Sequence, residues 1–294
     1  YLGGKDSPST ADIALLLEQA RLHESLGELD PSMHTANEAL KLSRQWNDPR
    51  HAAMAQGKIA DVFQTRGDLN KALKIRKKEE IPVYEKLGEV RARAVTMGKI
   101  ADILESKGSL DEALKIRMEE EIPIFEKLGD THEYTVSMAK VADVFQARGN
   151  LDEALLLLKD KVLPSFKDLG DVRSHAVTMG KIANILQARG SFDEALRIRQ
   201  EEELPVYEEL GDMRSLLIGR ANLAILMDQQ DGVKHRTDIE RLLRWSLAAA
   251  VRMQLPENEN ITETMQQFDV AVPDQASMQT MVKNLTVKLF DGEK

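Results

Sequence analysis

From His51 to Arg66 the apolar residues Ile59, Ala60, Val62 and Phe63 recur at helical spacing and mark one buried stripe. Gly67 then interrupts the pattern as a left-handed C-terminal cap would, and Asp68 is placed to cap a second helix that opens with Leu69, Ala72 and Leu73. The second stripe runs to about Leu87, where Gly88 ends it. Two antiparallel helices joined by a glycine turn cannot hide their apolar faces alone. Here the hairpin recurs: the strings from Met54, Thr96, Ser137 and Thr178 align without a gap at a spacing of 41 residues. Gly67, Gly108, Gly149 and Gly190 fall in phase, as do Pro82, Pro123, Pro164 and Pro205. Such a period is the signature of a solenoid, in which each unit buries its apolar side against its neighbours.

The prolines sit inside the long second helix, as in Glu80-Ile81-Pro82-Val83-Tyr84. A proline removes one helical hydrogen bond and crowds the preceding turn, which predicts a kink or short break near Glu80 and Ile81 in every full copy. The ends of the array differ from its middle. The boundaries read as a tail over 1–9, a short first repeat over 10–48, and full repeats over 49–89, 90–130, 131–171 and 172–212. A divergent sixth repeat follows over 213–254, and capping or docking helices fill 255–294, one near Ile261 to Phe268 and the last from Gln275 to about Phe290.

These residues resemble the tetratricopeptide repeat family. The markers are the small residue of the first helix (Ala60, Ala101, Ala142, Ala183), the large apolar residue after it (Phe63, Leu104, Phe145, Leu186), the turn glycine, and the alanine of the second helix (Ala72, Ala113, Ala154, Ala195). The common family unit has about 34 residues, whereas this one is similar to the longer variety, of about 40 to 42, found in kinesin light chains, Pins-type adaptors and the sensor arms of bacterial signalling ATPases and caspase-like proteases. The resemblance covers roughly Thr10 to Gln254. It implies an all-α, right-handed α-solenoid of about six helical hairpins plus C-terminal capping helices. It also implies that the first helices line a concave groove that receives a protein or peptide.

On the first helices, the positions that the apolar stripe leaves unused form a ladder. Lys58, Lys99, Lys140 and Lys181 make one column; Asp61, Asp102, Asp143 and Asn184 lie one turn later, and Gln64, Glu105, Gln146 and Gln187 beyond them. Just before the lysines stand Gly57, Gly98, Ala139 and Gly180, whose missing side chains would let another chain approach the backbone. Two readings of the ladder stand at this point. It binds an extended or helical peptide, or its lysines and acids pair with one another and keep the groove soluble. A further departure is Leu155-Leu156-Leu157-Leu158 in the fourth copy, with leucine at registers held by lysine or arginine elsewhere. Leu156 and Leu158 point about 200° apart on a helix, so at least one is expected outside, as an outer-surface contact.

Composition narrows the function classes. The chain has 294 residues with aromatics at only 4% and a net charge of -9, which argues against a wide basic surface for nucleic acid. It has no cysteine, hence no disulfide and no thiolate metal site, in keeping with a cytoplasmic setting. The longest apolar stretch, Trp245 to Val251, is too short to cross a bilayer, so no membrane partner is expected. The histidines show no ligand spacing, and His175 occupies a register held by Arg93 and Tyr134 elsewhere, which reads as surface drift. No phosphate loop, serine elbow or zinc signature is present. No catalytic residue, metal or cofactor is expected, and the chain reads as a non-catalytic scaffold for protein interaction. The alternative is a sensor arm controlling another domain of the same polypeptide; the start at Tyr1 without methionine suggests a piece of a longer protein.

Overall fold

A computed structural model describes residues 10–285, which are built from helices with no strand among them. They fall into two compact units, divided between Arg148 and Gly149. The first holds α1 (Thr10–Ser25), α2 (Leu29–Gln45), α3 (Pro49–Thr65), α4 (69–87), α5 (Val90–Ser106), α6 (110–128) and α7 (Thr131–Ala147). The second holds α8 (151–168), α9 (Val172–Ala188), α10 (192–210), α11 (Met213–Asp231), α12 (Arg236–Arg252), α13 (Glu257–Gln267) and α14 (Gln275–Lys283). α13 begins earlier than the sequence suggests, and α14 stops at Lys283, where Asn284 caps it, rather than near Phe290. The 1–9 tail and positions 286–294 lie outside the described residues. No helix among the described residues is long and apolar enough to cross a membrane.

Turn chemistry follows the pattern of the sequence. Gly67 adopts φ +81° and donates its N–H to the carbonyl of Gln64, while the carboxylate of Asp68 accepts from the N–H of Lys71, 3.2 Å away. At the other end of each hairpin Gly88 has φ +68°, and Asn47 takes the equivalent place in the first repeat with φ +50°.

Within each unit, polar latches join one hairpin to the next. On one edge Lys107 reaches Asn70, Arg148 reaches Asp111 and Arg189 reaches Asp152. On the other, Arg50, Arg91, Arg173 and Arg214 each hold an acid at the start of the following helix: Glu89, Asp130, Asp212 and Glu257. These pairs are exposed, so each contributes little energy, but they fix register.

The expected break at proline does not occur. Instead each long second helix passes through one π turn, over 76–80, 117–121, 158–162 and 199–203. The N–H of Ile81 donates to the carbonyl of Arg76, five residues back, and Pro82 falls in the first turn of the α-helix that resumes. The wide turn relieves the crowding, and the N–H that proline lacks is one that a helix start does not need.

The π turn also sets the core. At its two ends stand Arg76 and Glu80, both buried, with Nη1 of the arginine 3.0 Å from Oε2 of the glutamate. Nη2 of Arg76 reaches Asp61 on α3, and the other oxygen of Glu80 accepts from the hydroxyl of Thr96 on α5 at 2.8 Å. Arg117, Glu121, Asp102 and Ser137 repeat the arrangement, and Arg199, Glu203 and Asn184 repeat its first half. The room for each glutamate is a missing side chain. A Cβ placed on Gly57 would stand 2.9 Å from Oε1 of Glu80, and on Gly98 and Gly180 closer still to Glu121 and Glu203. The glycine column is therefore filled from within the repeat and is not open for a partner's approach, which corrects the sequence reading.

In the fourth copy all three registers change together: Ala139 replaces glycine, Leu158 arginine and Val162 glutamate. Leu158 is 1% exposed, so it is a core residue and not an outer-surface contact; only Leu156, at 63%, is outside. Apolar replacement of a complete buried ion pair is often neutral or favourable, whereas removal of one partner strands the other. Arg117→Ala is accordingly expected to destabilise the protein by about 3–5 kcal/mol. The combined Gly98→Ala, Arg117→Leu and Glu121→Val is expected to match the wild type or exceed it by up to about 4 kcal/mol. Urea-unfolding midpoints measure both, and a triple variant as unstable as the single one would show that the ion pair, not volume, holds this junction.

Candidate functional site

The exposed stripe of each first helix is read at steps of four, three and four residues, which keeps side chains on one face. On α3 it runs Met54, Lys58, Asp61, Thr65, and on α5 Val95, Lys99, Asp102, Ser106. Repetition therefore lays an apolar column beside a lysine column and an aspartate column.

The structure brings the rungs of the first unit together. Lys58 Nζ lies 3.1 Å from Asp61 and 3.3 Å from Glu24. Lys99 reaches back one repeat to the other oxygen of Asp61 at 2.8 Å, and Lys140 likewise reaches Asp102 at 3.2 Å. The aspartates have a second partner beneath them, Arg76 for Asp61 and Arg117 for Asp102. Glu105 completes the shell of Arg117, bonding both Nε and Nη2. Gln64 stands at that register in the second copy and Gln187 in the fifth, and there the buried Nε of Arg76 and Arg199 has no partner. Gln187 instead bonds Gln229. Asn184 replaces the aspartate and still accepts from Arg199. Asp143, Gln146 and Lys181 are half-buried on their helices. No group of acids and histidines placed to hold a metal ion occurs among the described residues.

Charge balance is uneven along the ladder. Burial works against the charge of Asp61, yet Lys99, Arg76 and Lys58 outweigh it and hold the carboxyl below the usual aspartate range. Burial likewise disfavours charge on Lys58, but Asp61 and Glu24 keep its pKa above the ordinary lysine value. Lys99 and Lys140 are freer, with about 40% of the side chain exposed.

Two cavities open on this face, and Asp61 and Lys99 line both. One of about 280 Å³ includes Met54, Tyr84 and Val95; the other, of about 500 Å³, includes Gln64, Asp102 and Ser106. Together they make a polar trough with an apolar margin. The buried arginines and glutamates under the trough are absent from the sequence reading of the site. Their signal is the in-phase Arg76, Arg117, Arg199 and Glu80, Glu121, Glu203, and the joint change of both with glycine in one copy.

No protein-family model and no curated protein sequence matches the chain. Solved structures do. Rap protein complexed with competence and sporulation factor aligns with a TM-score of 0.64 at 13% identity, over 92% of this chain and 76% of that one. BtubC from P. vanneervenii aligns at 0.59 and 17% identity, over 84% and 94%. A signal-transduction ATPase with a tetratricopeptide-repeat sensor from Pyrococcus horikoshii aligns at 0.62 and 13% identity, over 90% of this chain but only 40% of that protein. The fold is thus an all-α solenoid of tetratricopeptide-repeat type.

Asp61 supplies a test of the ladder's electrostatics. A carboxyl whose folded pKa is depressed adds stability above its unfolded value, and that stability is lost as pH falls through the folded pKa. Asp61→Asn, which copies the residue at 184, is expected to lower stability at neutral pH by about 1–3 kcal/mol and to shrink the acid-side loss below about pH 4. Urea midpoints measured at several pH values check this, and parallel pH profiles for the two proteins would contradict it.

Proposed function

We propose that the chain is a non-catalytic protein-interaction scaffold that binds an acidic peptide or helix along the first-helix face of its first unit. The observation carrying this reading is the double coordination of the aspartates. Asp61 and Asp102 are held from below by Arg76 and Arg117, so each keeps an arginine partner when Lys99 or Lys140 turns to a ligand carboxylate. Lys140 with Asp102 is a part-exposed pair, of a kind worth roughly 0.2–1 kcal/mol, so its exchange carries a small penalty; Lys99 with the buried Asp61 is held more firmly. Met54 and Val95 supply an apolar margin for the partner's side chains. The Rap structure contains a bound factor, which supports a ligand role for this architecture.

A second reading draws on the likeness to the sensor of the P. horikoshii ATPase. Here the peptide would belong to the same polypeptide, and the array would act as a sensor or regulatory arm of a larger bacterial effector, a signalling ATPase or caspase-like protease. A nucleotide-binding or protease domain in the same open reading frame would favour it.

Peptides selected by phage display against the full chain are expected to be rich in Asp and Glu. Their affinity is expected to fall at least about tenfold on Lys99→Ala with Lys140→Ala, while the thermal midpoint shifts by no more than about 4 °C. Undiminished binding by a folded double variant would remove the ladder from the site.

A further inference from the structure

Arg93 closes the junction between α4 and α5. Its Nε lies 3.1 Å from Glu85 and its Nη2 3.2 Å from Glu120, so one long side chain bridges two acids. The corresponding junction of the second unit, between α8 and α9, lacks this bridge. Lys167 stands at the register of Glu85 and His175 at that of Arg93, while Glu202 keeps the acid of Glu120. That acid is taken from elsewhere, by Arg197 at 2.6 Å. Lys167 is exposed and forms no ion pair among the described residues. His175 is half-buried and lines a cavity.

Where the bridge is missing, a cavity of about 590 Å³ opens, within the range of small-molecule sites. Phe166 and Met179, both buried, line it with Leu163 and Pro164, and its charged and polar lining is Lys167, His175 and Glu202, the last drawn off by Arg197. A cavity of about 550 Å³ at the same register in the first unit, beside Ala52, makes a useful contrast. There Gln56 replaces Met179 and bonds Glu79 at 2.5 Å, and Ser43 replaces Phe166 and bonds the carbonyl of Ala39. Gln56, Glu79 and Ser43 are thus satisfied within the protein, while Arg44 stands exposed at the register of Lys167. The second unit differs in its floor, which is apolar. Burial, with Lys167 nearby, also pushes the pKa of His175 below the ordinary histidine value against the opposing pull of Glu202, so the ring is neutral at pH 7 and retains one N–H to donate.

We propose that this cavity is a binding site for a small organic carboxylate, whose apolar body rests on Phe166 and Met179 and whose carboxylate pairs with Lys167 and accepts from His175. The junction of α8 and α9 supplies every group required, independently of the peptide site of the first unit. Most of the affinity comes from the apolar body, since an exposed lysine pair adds little, and the cation supplies the preference for an anion.

Calorimetric titration of the full chain with octanoate and with 1-octanol tests the assignment. Octanoate is expected to bind saturably with a Kd on the order of 1 mM, several-fold tighter than the alcohol. Lys167→Ala is expected to remove that preference while leaving octanol binding unchanged. Lys167→Glu combined with His175→Arg rebuilds the pair found at Glu85 and Arg93, so the fold is expected to tolerate it, and both ligands are expected to lose binding. No saturable signal up to about 20 mM, equal affinity for acid and alcohol, or full binding by a folded double variant would each overturn the proposal. So would saturable binding of an acidic peptide alone.

Discussion

Arg117 lies almost wholly out of water with three carboxylates around its guanidinium, and its siblings Arg76 and Arg199 are equally buried. Everything else at these junctions is arranged around that charge. A guanidinium withdrawn from water is tolerated only where acids and hydrogen bonds replace its hydration. The π turn places a glutamate four residues on at the same buried face. The glutamate in turn needs volume, which a glycine on the first helix supplies, and a donor for its second oxygen, which Thr96 or Ser137 of the next repeat supplies. The proline thus belongs to the same device. It makes the wide turn the comfortable conformation and so fixes which side chains enter the core.

Buried ion pairs are in general poor contributors to net stability, and one copy of the repeat dispenses with the pair. In the fourth copy glycine, arginine and glutamate give way together to alanine, leucine and valine. Any one change alone would leave a cavity, a clash or a stranded charge; the three together leave a filled apolar core. What the ion pair adds where it is retained is direction. Arg76 and Arg117 fix the carboxylates of Asp61 and Asp102 from beneath, and since each arginine is shared with other acids, charge is left over for the lysines of the ladder to balance.

The period, the hairpins and the caps were legible in the sequence because they depend on local rules: apolar spacing, glycine at positive φ, an aspartate at a helix start. The behaviour of proline was not. Its textual context, Glu80-Ile81-Pro82, is that of a helix breaker, yet a π turn forms ahead of the proline in all four copies, the fourth with leucine and valine in place of the ion pair included, so the wide turn goes with the proline and not with the charges. The empty space at Gly57 had the same ambiguity, since a missing side chain does not say from which direction it will be filled. Leu158 was misread for a related reason. Its siblings are arginines, and arginine in a sequence suggests surface until the structure shows it to be core.

Departures from the repeat can be sorted by whether packing demands them. The exchange of Gly, Arg and Glu for Ala, Leu and Val lies at core registers, and each member is explained by the others. Lys167 and His175 differ in kind. Lys167 is exposed and has no ion-pair partner among the described residues, so no buried charge there requires it, and where an Arg93-type bridge is lacking volume is left unfilled. The cavity beside Ala52 is of similar size, but Gln56 and Glu79 bond each other across its lining, whereas Phe166 and Met179 leave this one an apolar floor. The junction keeps its register through other pairs, such as Arg189 with Asp152, so the space lined by Phe166 and Met179, with Lys167 beside it, is not one that packing or register requires, and a bound ligand is the use that fits it.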